Sequence, residues 1–240
     1  GSSLVQAAAV PNCRAYDPCY AYELAVIVDH GMRRMLSEQA DEFYYVTVMN
    51  ENYAQPDLPV GVEADVLRGC YKFRSNEAPF DARKLPKNAR KVTLMGSGAI
   101  LTEVLRAADL LAQQGIAADV YSVTSWSELA RDGQDAERWN LLHPLETPRV
   151  PFVAQQLGTS SGPVVASTDY MKAYAEQIRP FIPKGRTYKV LGTDGFGRSD
   201  FRSKLREHFE VNRHYIVVAA LKALADEGTL PAAKVAEAIK

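Results

Sequence analysis

The sequence predicts an α/β fold, a mostly parallel sheet with helices on both faces, preceded by the tail of another α/β domain. Three observations carry this. From Lys91 onward, short β-branched runs alternate with segments of helical periodicity. The first 55 residues supply one helix and one strand, too little to close a core alone. Of 240 residues, 47% are apolar and 24% charged, the balance of a globular chain with a substantial core.

Residues 1–15 read as irregular. Asp17 offers an N-cap and Pro18 suits a first helical position. Tyr20, Leu24, Ile27, Val28 and Met35 then recur at helical spacing, which predicts an amphipathic helix over 17–36. Residues 43–49, rich in aromatic and β-branched types, read as a buried strand. Pro56, Pro59 and Gly61 mark a connector, with a short helix over 62–68 and a short strand over 70–73. Pro79 and Pro86 bracket a polar stretch.

The alternation then begins. A strand over 92–95 ends at Gly96-Ser97-Gly98, and Ile100, Val104, Ala108 and Leu111 form one helical face with Gly115 as its stop. Strands are predicted over 116–123, 163–167 and 187–191. Helices are predicted from Glu128, capped by Ser125 or Ser127, over 169–179, and over 200–209, 213–227 and 231–239.

Composition excludes several functions. A net charge of −1 argues against nucleic acid as a partner, since phosphate binding needs a basic excess. The basic stretch 81–91 reads as a solvated linker. No apolar run approaches the ~18 residues of a membrane span. Cys13, Cys19 and Cys70 form no C-x-x-C pair and have no histidine at zinc-ligand spacing. They are expected to be reduced thiols in a cytoplasmic protein without a signal peptide. Gly1-Ser2 resembles a residual tag, so the sequence is expected to begin inside a longer protein.

Two glycine-rich loops invite a ligand. Gly96-Ser97-Gly98 follows a strand and opens a helix, as a dinucleotide fingerprint does. Leu101 stands where the third glycine belongs, and Asp119 falls at the start of a strand rather than its end, so a tight βα turn is the better reading. Residues 192–200 (GTDGFGRSD) carry Arg198 for an anion and Ser199 or Asp200 as a cap, but read first as a turn that re-aims the chain. The segment 127–140 holds Asp132 and Asp135 near Arg131 and Arg138 beside Trp139, a pattern of helical ion pairs or a subunit contact. His30, His143, His208 and His214 show no nucleophile-and-acid arrangement; His30 sits late in a helix, where the dipole favours a partly positive ring.

Taken together, several stretches are specific. They are residues 10–13 (VPNC) with 16–18 (YDP) and 21–23 (AYE), 50–53 (NENY), 128–151 (ELARDGQDAERWNLLHPLETPRVP), 166–171 (ASTDYM) and 191–200 (LGTDGFGRSD). In order and spacing, nearly the whole chain resembles the homodimeric bacterial pyruvate dehydrogenase family, the decarboxylating component of its complex. The resemblance implies a transketolase-like layout. Residues 1–55 would be the last part of the pyrimidine-binding middle domain, 56–80 a linker, and 81–240 a transketolase-like C-terminal domain.

The family decarboxylates pyruvate on thiamine diphosphate, with magnesium neutralising the diphosphate, and acetylates the lipoyl group of a dihydrolipoyl acetyltransferase partner. Its metal site uses Gly-Asp-Gly followed by asparagine, and this sequence has none; Thr193-Asp194-Gly195 is not a substitute. The cofactor-activating glutamate would lie in the earlier part of the middle domain, and a catalytic histidine just before Ser3. No catalytic, cofactor-binding or metal residue is therefore expected here. The leading expectation is a piece of this dehydrogenase that serves dimerisation and supports the active-site wall, inactive alone and holding neither thiamine diphosphate nor magnesium. The rival is an interaction module that docks the acetyltransferase or a regulator through 81–91 or 131–140. A self-contained nucleotide-binding domain built on Gly96 to Gly98 is the third reading.

Overall fold

A computed structural model describes residues 1–75, 85 and 88–240. The elements run α1 (Ser3–Ala8), β1 (Cys13–Tyr16), α2 (Ala21–Met32), β2 (Phe43–Val46), α3 (Glu63–Arg68), β3 (Cys70–Arg74), β4 (Arg90–Gly96), α4 (Ile100–Gln113), β5 (Ile116–Val123), α5 (Trp126–Leu142), α6 (Phe152–Leu157), β6 (Val164–Ser167), α7 (Lys172–Glu176), β7 (Tyr188–Leu191), α8 (Arg202–His208), α9 (Arg213–Asp226) and α10 (Ala232–Ile239). A π-helical turn at Arg33–Ser37 extends α2, and a 3-10 turn, Arg179–Phe181, follows α7.

Five strands form the main sheet in the order β3-β5-β4-β6-β7. The pairs β4–β5, β4–β6 and β6–β7 are parallel, and β3 alone runs antiparallel, on the edge beside β5. Side chains alternate across the sheet, as the period of two requires. Val92, Leu94, Val120 and Val165 face α4, α9 and α10, while Met95, Tyr121, Val164 and Ala166 face α5, α6 and α7. The predicted α/β sheet covered on both faces is therefore what forms. β3 lies inside the stretch 56–80, so the sheet draws its edge strand from there.

β1 and β2 make a separate parallel pair in register from Cys13↔Phe43 to Tyr16↔Val46. This front unit packs on the sheet through Tyr16, Ile27, Val66 and Tyr71.

Several local expectations are corrected. Residues 1–15 are not irregular, because they hold α1 and β1. Asp17 caps no helix: it continues the β1 backbone, its N–H donating to the Thr124 carbonyl at 2.7 Å. The helix starts at Ala21 instead, where the Glu23 carboxylate accepts from the N–H groups of Cys19 and Tyr20 at 2.6 and 3.0 Å. Strand 43–49 stops at Val46 and is half-exposed, since β1 is its partner on one side only. α5 begins at Trp126, with Ser125 Oγ accepting from Glu128 N–H. The helix expected over 169–179 shrinks to α7, because Thr193 Oγ1 holds the Asp169 carbonyl at 2.6 Å and fixes that backbone as a loop. α6 went unread between prolines; Pro151 precedes it, and Asp132 Oδ2 accepts its first N–H, from Phe152, at 2.5 Å. Neither Ser199 nor Asp200 caps α8.

Cys13, Cys19 and Cys70 are buried free thiols. Of the basic stretch 81–91, residues 81–84, 86 and 87 lie outside the described residues, as do Pro79 and Pro86.

Candidate functional site

Open α/β sheets bind ligands at the carboxyl ends of their strands, where successive connections leave in opposite directions. Here that point lies between β4 and β6. From β4 the chain passes to β5 on one side, and β6 and β7 lie on the other. The two strands end side by side, with Gly96 opposite Ser167. The crevice between Ser97-Gly98 and Thr168 is filled from within. Asp17 accepts from Ser97 Oγ and from Thr47 Oγ1, both at 2.8 Å, and Ser97 Oγ also lies 3.2 Å from Thr168 Oγ1. The Gly98 N–H donates to the Asp17 carbonyl at 2.9 Å. Gly98 has φ +52°, and a Cβ there would stand 2.6 Å from an Asp17 carboxylate oxygen. Glycine is required twice over, for the left-handed backbone and for the close approach. The loop is thus a tight βα turn, and the front unit occupies the place of a ligand.

A second carboxylate repeats the theme. Glu23 is buried and, besides its two backbone donors, accepts from Tyr71 Oη of β3 and Ser122 Oγ of β5, each at 2.6 Å. Burial pushes its carboxyl up despite these four donors. Burial likewise raises Asp17 to about 7, with Asp169 and Glu23 adding like charge and the hydroxyls of Thr47 and Ser97 opposing.

A ladder of charge runs beside them. Glu51 holds Arg206 in a two-pronged contact of 2.5 and 3.0 Å. Arg206 lies 3.7 Å from Glu103, which takes three donors from Arg213 at 2.9–3.0 Å. Burial alone would raise Glu103, but the Arg213 bonds and the Arg206 charge hold it below the usual carboxylate range. The ladder ties the 50–53 motif to α8, α4 and α9. Above it the 192–200 loop roofs an open cleft of about 310 Å³ lined by Met49, Asp169, Tyr170, Arg198, Arg202 and Phe209, among others. Asp194 is spent closing this loop, accepting from Lys172 N–H at 2.9 Å.

The remaining candidates serve structure. Arg131 donates to the carbonyls of Cys13 and Val10 at 2.8 and 2.9 Å, and Asp132 pairs with Arg68 and caps α6. Trp139 is sandwiched between His143, stacked at 4.4 Å, and Arg149 at 4.2 Å. His30 is pushed toward the neutral ring by partial burial and by Arg33 and Arg34, against the positive ring expected of it. Among the described residues, no group of three or more His, Cys, Asp or Glu is placed to hold a metal ion.

Residues 69–212 match the transketolase-like TK C-terminal domain family. The chain belongs to that family. Residues 1–56 match the pyruvate dehydrogenase E1 component middle domain. Among relatives, the pyruvate dehydrogenase E1 components of Cupriavidus necator and Pseudomonas aeruginosa are 56% and 55% identical over the full chain, which spans 26% of each. The fold resembles that of transketolase from Campylobacter jejuni, with a TM-score of 0.58 at 20% identity over 92% of this chain and 28% of that one. The resemblance read from residues 10–23, 50–53, 128–151, 166–171 and 191–200 is thus met. Within this transketolase-like frame the motifs have separate duties: 16–18 and 50–53 hold the front unit, 128–151 shapes α5 and its exit, and 191–200 roofs the cleft.

Two outcomes follow from these contacts. Truncating Arg206 takes both close donors from the half-buried Glu51 and a positive charge from beside the buried Glu103, which keeps Arg213, so Arg206→Ala is expected to lower unfolding free energy by about 3 kcal/mol in urea titration. Asp17 has a folded-state pKa above its ordinary 3.8. Its contribution is therefore complete below the ordinary carboxyl range and lost as pH rises through about 7. The stability difference between wild type and Asp17→Asn should shift against wild type between about pH 4 and about pH 7 and level off above that. The difference between the two titrations reads Asp17 together with its coupling to Glu23, Asp169, Tyr170 and Tyr174, whose charges act on it or it on them.

Proposed function

We propose that this chain is a structural part of a thiamine-diphosphate-dependent pyruvate dehydrogenase, and that it fastens the rim of the pyrimidine-binding domain to the C-terminal domain. In the whole enzyme, pyruvate is decarboxylated on the cofactor, with magnesium on its diphosphate, and the lipoyl group of the dihydrolipoyl acetyltransferase partner is acetylated. The chain's own residues bind none of these. Their work is mechanical: they hold the front unit rigidly on the sheet and present its free side for completion by the rest of a homodimeric enzyme.

The observation that carries this reading is the combination of a sealed inner face and an unfinished outer one. Inside, Asp17, Glu23 and Glu51 are all engaged by donors from the C-terminal sheet and its helices. Outside, Val28, Phe43, Tyr45, Val48 and Met49 stand exposed on α2, β2 and the segment that follows it. Ile27, next to Val28 on α2, is buried against Val66 and Tyr71. Parallel strands are ordinarily covered on both faces, and exposed apolar patches mark surfaces made for contact.

A specific observation also favours acetyltransferase docking as a second reading. Around the Arg149–Trp139–His143 stack, Leu141, Leu142, Leu145 and Val150 are exposed. Aromatic and arginine residues of this kind anchor interfaces.

The isolated chain is expected to show no ferricyanide reduction with pyruvate, thiamine diphosphate and magnesium. Turnover should appear when the remaining portion of such an enzyme is supplied as a separate polypeptide. Turnover by the chain alone defeats the proposal. Sedimentation should show self-association that weakens on dilution, and a single monomer over a hundredfold range would contradict the exposed-face argument.

A further inference from the structure

We propose that the crevice between β4 and β6 is a working carboxylate-binding site whose ligand is the chain's own Asp17, and that it accepts a small free carboxylate when that side chain is removed. The case rests on what a ligand site at this place needs and what the crevice supplies.

A site at this point of an α/β sheet needs donors aimed at one spot, and a backbone close enough to let a ligand in. Ser97 and Thr168 lie on the strand ends, both fully buried, and Ser97 Oγ donates to one Asp17 carboxylate oxygen at 2.8 Å. Thr47 Oγ1 approaches the other oxygen at 2.8 Å, so each oxygen has its own hydroxyl partner. Gly98, two residues before α4, lacks the Cβ that would strike the carboxylate. The start of a helix this long also favours negative charge. Each feature that suggested a dinucleotide turn from the sequence is present and used, but for a carboxylate supplied in cis.

A folded-in ligand behaves like a tethered one. The chain pays its ordering entropy once, on folding, and thereafter the group is held at high effective concentration. Cutting the tether should therefore expose the intrinsic affinity of the crevice. Asp17→Ala deletes the atoms of a carboxyl group and keeps Cβ, and formate has the shape of the deleted group. The Ser97 and Thr47 hydroxyls would then lose their 2.8 Å carboxylate partner and keep only the longer contacts to Thr168 Oγ1 and the Tyr16 carbonyl, Ser97 in a fully buried place, a cost that formate relieves.

The experiment compares wild type, Asp17→Ala and Asp17→Asn by thermal unfolding in sodium formate, with sodium chloride at equal ionic strength as reference. The expected result is a saturable rise of several degrees in the midpoint of Asp17→Ala and no formate-specific rise in wild type or Asp17→Asn, whose crevices remain filled. A bulkier carboxylate, pivalate, should give none. If Asp17→Ala does not fold alone, its refolding yield is read instead, and recovery with formate but not chloride supports the site. An equal formate effect in all three proteins, or none in Asp17→Ala by either measure, overturns it.

Discussion

A carboxylate buried without partners is too costly for a marginally stable chain, and that constraint organises the molecule. Asp17 and Glu23 both belong to the front unit, and each adds to its local donors, Thr47 for one and the Cys19 and Tyr20 N–H groups for the other, donors from the sheet side. Neither has its full set of donors unless β1 and α2 sit where they do on the carboxyl ends of β4 and β5. The front unit makes only a two-stranded sheet, which has little stability of its own. Its hydrogen bonds to Ser97, Ser122, Tyr71 and the Ser125 hydroxyl that reaches the Ala15 carbonyl substitute for a core it does not enclose.

The charge ladder extends this coupling outward. Glu51 follows the exposed Met49 and Asn50, yet Arg206 draws it against α8, and Glu103 and Arg213 carry the connection to the first turns of α4 and α9. Polar networks confer little net stability when exposed. Here Arg206 and Glu103 are almost wholly buried, so the geometry is demanding and misdocking is penalised. Specificity of arrangement is the gain, with the open cleft beneath residues 192–200 as its by-product.

The main sheet was legible because its signals are local. β4, β5 and β6 are runs of apolar and β-branched residues buried on both faces for most of their length, β7 is a half-buried edge run of the same kind, and α4 and α9 have the period of helices with one covered side. The front unit was harder because its residues answer to distant partners. Asp17-Pro18 has the form of a helix start, and a side-chain oxygen that could accept from a helical N–H accepts instead from Ser97, eighty residues away in the chain. α6 was hidden because Pro148 and Pro151 look like loop punctuation, while the cap that starts the helix comes from Asp132. At Gly96-Ser97-Gly98 the turn was read correctly, but the reason for its glycine was not. Nothing near Gly98 in the chain shows that a carboxylate from the front unit will press against it.

The same geometry separates fold from chemistry. A transketolase-like sheet retains the crevice that other α/β proteins fill with nucleotides, and fold alone would suggest a ligand there. Side chains decide otherwise. With Asp17 in place, Ser97 Oγ lies 3.2 Å from Thr168 Oγ1 and bonds the Asp17 carboxylate, and Arg206 and Arg213 are bound to Glu51 and Glu103. The positions that a binding domain would leave open have been used to hold a neighbouring domain. A carboxylate on the neighbour and a glycine on the sheet achieve that together, and neither residue has a reason to be where it is without the other.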